Sequence, residues 1–196
     1  HYLGSIHNGF RQLTNSVKEV KTPDDLKNMK LRVPGGEVFM KTFQEFGCDP
    51  VSMSFSELFT ALQQGTIDAQ ENPYTNIVTS RFYEVQDYVI ETAHIYDPCP
   101  LLLSNVTKDK LTEDQMAVLQ EAATEALAWE REEIVKDDDA YRKTVEDSGT
   151  KVIQLTEEER DAFREAAQPV YDAYIAAEGE KAEQMIEQVE AINEKH

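Results

Sequence analysis

Thr22-Pro23-Asp24-Asp25-Leu26-Lys27-Asn28-Met29-Lys30-Leu31-Arg32-Val33-Pro34 is the stretch on which the reading of the fold turns. Thr22 is a residue type that caps a helix, and Pro23 suits the first helical position, where no backbone donor is needed. The spacing predicts a helix to about Met29, then a short strand, Lys30 to Val33, stopped by Pro34. A second helix is expected from Glu37 to Phe46, with Val38, Phe39, Phe43 and Phe46 on one face and Gly47 at its end. Pro50 to Met53 reads as a strand. Ser54 followed by Glu57 is a capping-box pattern, opening a helix that Gly65 closes. Thr66 to Ala69 then reads as a strand and Gln70 to Pro73 as a turn, because proline holds Asn72 away from helical geometry. Further strands are expected at Tyr88 to Tyr96 and Leu101 to Ser104. This βαβαβ alternation predicts an open α/β sheet.

Beyond Thr112 the character changes. Thr112 and Gln115 form another capping-box pattern, and neither glycine nor proline occurs until Gly149. A helix of that length reaches about 50 Å, longer than one small lobe is wide. Met116, Leu119, Ala123, Leu127 and Ile134 supply its apolar stripe. A short strand from Lys151 to Gln154 follows, then helices, one capped by Thr156 and one punctuated by Gly179. The expected division is residues 1–104, 105–148 for the long helix, and 149–196.

The chain has 196 residues and a formal net charge of −19, most of it after Val106. Such acidity argues against nucleic acid or an anionic membrane as partner. No apolar run approaches the roughly 20 residues that span a bilayer, so direct insertion is not expected. His1 to Phe10 lack the basic start and apolar core of a signal peptide, as a processed exported protein does. Cys48 and Cys99 have neither zinc nor redox spacing and are read as buried free thiols. No metal site and no cofactor is implied.

The search for catalytic chemistry finds no glycine-rich phosphate loop, no nucleophile elbow and no His-Glu-x-x-His. His1, His7, His94 and His196 are scattered, and His94 reads as a hydrogen-bonded strand histidine. Of the seven arginines, Arg131, Arg142, Arg160 and Arg164 stand among acids on helices, where solvated ion pairs account for them. Arg32 differs, lying between apolar residues on a strand with no acidic partner nearby in sequence. Arg11 has a similar setting. A planar guanidinium fork matches a carboxylate, so a strand-end arginine in an acidic protein is a candidate anion hook, with a structural salt bridge as the competing role.

The opening stretch resembles the corresponding segment of TRAP transporter solute receptors. Met53-Ser54-Phe55-Ser56-Glu57-Leu58-Phe59-Thr60-Ala61-Leu62-Gln63-Gln64-Gly65 resembles a second motif of that family, and Thr66-Ile67-Asp68-Ala69-Gln70-Glu71-Asn72-Pro73 a third. The three occur in order and at the family's spacing, and weaker likeness continues to the long helix. The resemblance implies an α/β, periplasmic-binding-protein-like two-lobe fold with a long interlobe helix, incomplete here at the N-terminus. It implies a periplasmic receptor that closes on a small organic acid and delivers it to TRAP membrane subunits. Arg32 matches the arginine that salt-bridges the ligand carboxylate, Arg11 a second pocket arginine, Phe55 an aromatic wall and Asn72 a polar contact. Glu71, Tyr74 and His94 are weaker candidates, and Asp68 is expected to be structural. Gly35-Gly36 stands where many members carry a polar ligand contact, leaving space and backbone amides at Gly35. Sugar acids are favoured by the Val33-Pro34 and Phe55 context, ahead of C4-dicarboxylates and keto acids. The competing expectations are an interaction or sensor module built on the long acidic helix, and an enzyme on a related scaffold.

Overall fold

The computed structural model describes residues 1–193; His196 lies outside them. Among the described residues six strands form one sheet, in the order β3-β2-β4-β1-β5-β6. They are β1 (Tyr2–Asn15), β2 (Lys30–Val33), β3 (Asp49–Ser52), β4 (Ala69–Asn72), β5 (Tyr88–Leu102) and β6 (Lys151–Gln154). The helices are α1 (Glu37–Glu45), α2 (Phe55–Gln63), α3 (Tyr74–Thr79), α4 (Asn105–Lys108), α5 (Glu113–Asp147), α6 (Glu157–Glu178) and α7 (Glu180–Asn193). β2 pairs in parallel with β3 and β4, β5 with β6, and β1 alone runs the other way. The α/β fold expected from the sequence is the fold found.

Apolar layers cover both faces. On one, Leu13, Leu31, Val33, Ala69 and Ile90 pack against Phe43 of α1, Phe46 at its C-terminal cap and Phe163 of α6. On the other, Leu58 and Leu62 of α2 join Tyr74, Ile77, Phe82, Val89 and Val145 of α5. The crossovers β2-α1-β3 and β3-α2-β4 bring the carboxyl ends of three parallel strands, with the starts of α1, α2 and α3, to one edge of the sheet. Ligands of open α/β sheets bind at such an edge.

Two strands run well past that edge. β1 pairs with β4 only from Gln12 to Asn15, and β5 with β6 only from Tyr88 to Glu91, yet β1 and β5 stay paired out to Tyr2 and Leu102. The extension is a two-stranded ribbon with register shifts between Tyr2 and Gly4, His7 and Phe10, and Arg11 and Leu13. α5 lies along it: Gln120 donates to the Leu3 carbonyl at 2.9 Å, Arg131 to that of Ser5 at 3.2 Å, and the His7 amide to Glu130 at 3.1 Å. Its other end packs on the sheet through Val145. With 35 residues, α5 is about 52 Å long.

Several local expectations are corrected. The strand placed at Thr66 to Ala69 is Ala69–Asn72, and Gln70 to Asn72 is not a turn. Proline requires an extended residue before it, and a strand end meets that as well as a turn does; Pro73 instead precedes α3. The strands at Tyr88 to Tyr96 and Leu101 to Ser104 are one, β5. Pro98 and Pro100 fit inside it because β6 has ended by then, and a missing N–H is tolerated on an open edge. The helix opened by Pro23 is a single 3-10 turn, Pro23–Leu26. Ser54 does not close a capping box: its hydroxyl pairs with Ser56 Oγ at 2.9 Å. The Thr112 and Thr156 boxes are closed. Val38 is exposed although Phe43 of the same helix and Phe46 at its cap are buried. Arg142 and Arg164 are ion-paired as expected, whereas Arg131 and Arg160 donate to backbone carbonyls. Both cysteines are free, Cys48 buried but Cys99 only half so.

Candidate functional site

Arg32 sits one residue before the end of β2, opposite Gln70 of β4 and Val51 of β3. Its residue is 3% exposed. The Nε–H donates to the Met53 carbonyl at 2.9 Å, which turns the guanidinium towards the start of α2. There the Phe55 ring lies 5.8 Å from the guanidinium carbon. Phe55 is itself 43% exposed and edge-on to the buried Phe82, so its ring touches the core on one side and is open on the other. Among the described residues the two Nη groups of Arg32 have no hydrogen-bond acceptor and no salt-bridge partner. Burial lowers the Arg32 pKa, the negative charge of Glu71 opposes that, and Arg11 adds to it. Guanidinium remains a cation near neutral pH in any such setting.

Arg11 is the opposite case. Its Nε and Nη2 clasp Glu71 at 2.5 and 2.9 Å, Nη1 meets Asp97 Oδ2 at 2.5 Å, and Nη2 also reaches the Glu71 carbonyl and Asn72 Oδ1. Desolvation pulls its pKa down, but the hydrogen bonds and charges of Glu71 and Asp97 outweigh it and the net shift is upward. Its plane is flanked by Phe39 of α1, 5.6 Å away. Glu71 is fully buried and also faces His94 Nε2 at 3.2 Å, whose Nδ1 pairs with Thr92 Oγ1 at 2.7 Å. His94 is therefore a hydrogen-bonded strand residue behind the site.

Asn72 is the last residue of β4 and lies against Arg11. Its Oδ1 accepts from Arg11 and from Asn76 Nδ2, and its Nδ2 donates to Gln70 Oε1 at 2.6 Å. Gln70 donates in turn to Thr14, and Thr14 to Gln86. This chain of buried amides and hydroxyls fixes the Asn72 rotamer and leaves one of its N–H groups without an acceptor among the described residues. Gly35, at φ +110, carries the chain from β2 into α1, and a Cβ there would come within 3.1 Å of Ser52 Oγ. Tyr74 is turned away: its hydroxyl donates to Glu91 at 2.8 Å, and Glu91 also holds Arg142 of α5. Asp68 is structural, accepting the Lys30 amide at 2.8 Å.

Residues 1–178 match the bacterial extracellular solute-binding proteins of family 7, DctP. The chain belongs to that family. It is 34% identical over 164 residues to the 2,3-diketo-L-gulonate-binding periplasmic protein YiaO of Escherichia coli K12, covering 84% of this chain and 49% of that protein. The TRAP periplasmic solute-binding protein of Haemophilus influenzae RdAW with bound L-gulonate superposes with a TM-score of 0.90 at 30% identity, over 97% of this chain and 62% of that one. Its counterpart from Shewanella oneidensis with bound succinate gives 0.87 at 31% identity, over 92% and 59%. The chain spans about half the length of the curated relatives it matches. DctP proteins bind solutes rather than transform them, which removes the enzyme alternative. Among the described residues no helix is long and apolar enough to cross a membrane, and no metal-binding cluster occurs.

The structure thus brings Arg32, Phe55, Gly35 and Asn72 to one edge, with Arg11, Glu71 and His94 just behind and Tyr74 on the α5 side. Sequence reading missed Asp97. Its only signal is a strand acid near two prolines, and its meaning depends on the β1–β5 register that sets Arg11 opposite Ile95.

Proposed function

We infer that this chain supplies the carboxylate-gripping part of a periplasmic receptor that captures a small organic acid for TRAP membrane subunits. The observation that carries this is the contrast between the arginines: Arg11 is spent on Glu71 and Asp97, whereas both Nη groups of Arg32 are unpaired among the described residues. A ligand carboxylate accepts from both in a parallel fork, and Phe55 shields that pair from water. Asn72 and the Gly35 backbone offer the next polar contacts. With Arg32 the one guanidinium at this edge whose Nη groups lack an acceptor among the described residues, a monocarboxylate such as a sugar acid fits better than a C4-dicarboxylate or a keto diacid. The L-gulonate bound by the Haemophilus relative is of that kind. Capture couples to closure, because shutting a cleft over Arg32 without an anion strands a buried charge. The ribbon and α5, which run past the sheet edge, are the elements able to bend.

The test is calorimetry on the full-length gene product with sugar acids, C4-dicarboxylates and keto acids. Binding of at least one is expected, and Arg32→Ala is expected to weaken it by about 100-fold or more. Undiminished binding by that variant overturns the assignment.

A further inference from the structure

We propose that Asp97 is a specificity-determining residue, which neutralises Arg11 and offers a bare carboxylate oxygen to ligand hydroxyls, so that this site takes hydroxylated monocarboxylates and rejects dicarboxylates. The proposal rests on the carboxylate-receptor reading above. Asp97 lies on β5 where the ribbon leaves the sheet, with its side chain 26% exposed. Its Oδ2 accepts from Arg11 Nη1 at 2.5 Å and from Asn8 Nδ2 at 2.9 Å. Its Oδ1 has no donor among the described residues. The same Arg11 guanidinium touches Asn72 Oδ1 at 3.2 Å, so Asp97 stands within one guanidinium's width of a candidate ligand contact.

Charge counting then discriminates between ligands. Glu71 and Asp97 both pair with Arg11, Glu71 through two nitrogens and Asp97 through the third, while Arg32 contacts neither. One ligand carboxylate on Arg32 meets an unpaired cation. A second carboxylate would have to compete with Asp97 for Arg11, and an ionised carboxylate can only accept hydrogen bonds, so Asp97 Oδ1 repels it. A hydroxyl does the reverse: it donates to Oδ1 and gains a charge-assisted bond. Rejection by an unpaired like charge is a common route to specificity.

The experiment measures Kd for L-gulonate and succinate with the full-length gene product, Asp97→Asn and Asp97→Ser. Asn keeps the shape and an acceptor for Arg11 while removing the charge; Ser is the second variant should Asn fold poorly. The parent is expected to prefer L-gulonate. Both variants are expected to bind succinate about tenfold more tightly and L-gulonate more weakly, reversing or erasing the preference. A succinate-to-gulonate ratio unchanged in the variants, or a parent that prefers succinate, overturns the role of Asp97 and leaves the receptor reading standing. A parent that binds no carboxylate in the wider panel overturns the receptor reading and this proposal with it.

Discussion

Replacing each arginine by methionine should separate binding from stability, because one buried guanidinium is paired and the other is not. Arg11→Met removes the partner of Glu71, which is fully buried and, among the described residues, keeps only His94 at 3.2 Å. An uncompensated buried carboxylate costs about 3–5 kcal/mol. Arg32→Met removes one hydrogen bond to the Met53 carbonyl, worth about 1.5–3 kcal/mol for a charged donor. It also removes a desolvated cation with no salt-bridge partner among the described residues, a relief of several kcal/mol. The net for Arg32→Met is close to zero or slightly stabilising. Ligand affinity should behave inversely: loss of the Arg32 fork costs about 3–5 kcal/mol, or roughly 10²–10⁴ in Kd. The assays are urea unfolding without ligand and calorimetry with the tightest acid of the panel. If Arg32→Met destabilises the protein as much as Arg11→Met does, Arg32 is a structural residue. If Arg32→Met also leaves Kd within threefold of the parent, it is not the hook.

Phe55→Ala should weaken the same ligand by about 1 kcal/mol, roughly fivefold in Kd, through loss of the ring beside Arg32, with little change in unfolding since the residue is half exposed. Gly35→Ala should cost about 1–3 kcal/mol in urea unfolding, because φ +110 is strained for any side chain and Ser52 must give way. Burial pushes the Cys48 thiol from 9.0 up to about 12, so the folded protein holds a proton that the unfolded chain releases above about pH 9. Stability from this group is therefore full below about pH 9 and falls as pH rises towards about 12. The difference in unfolding free energy between the parent and Cys48→Ala should shrink by about 1.4 kcal/mol from pH ~8 to pH ~10; an unchanged difference would show the thiol to be better solvated than its burial implies.

What the sequence revealed and what it hid divide along the range of the interactions. β2, α1, α2 and α5 were legible because their signals are local: Pro34 stops a strand, Gly47 and Gly65 stop helices, and Thr112 closes a capping box. β1 was not read at all. Its alternation is broken by Gly4 and Gly9, and its partners lie in β4 and β5, far along the chain. Gly4 also shows how closely the ribbon approaches α5, since a Cβ there would fall 2.3 Å from Leu127 Cδ1. Thr14, Gln70 and Gln86 carry no apolar signal, yet all are buried and joined by hydrogen bonds that the register makes possible.

The same limit explains the two arginines. Both stand on strands with no acidic neighbour in sequence, and local reading gives them one role. Strand pairing then sets Glu71 beside Leu13 and carries Asp97 past Arg11, so that Arg11 is neutralised twice while Arg32 faces no acid directly. Glu71 acts on Arg32 only through its field, and Arg11 offsets part of that. The four charges at this edge sum to zero, and what internal pairing leaves over is one guanidinium, that of Arg32, whose Nη groups have no acceptor among the described residues. On the role proposed for Asp97, a substitution on β5 changes which acid the site accepts without touching Arg32, because it frees Nη1 of Arg11 while Nε and Nη2 stay on Glu71.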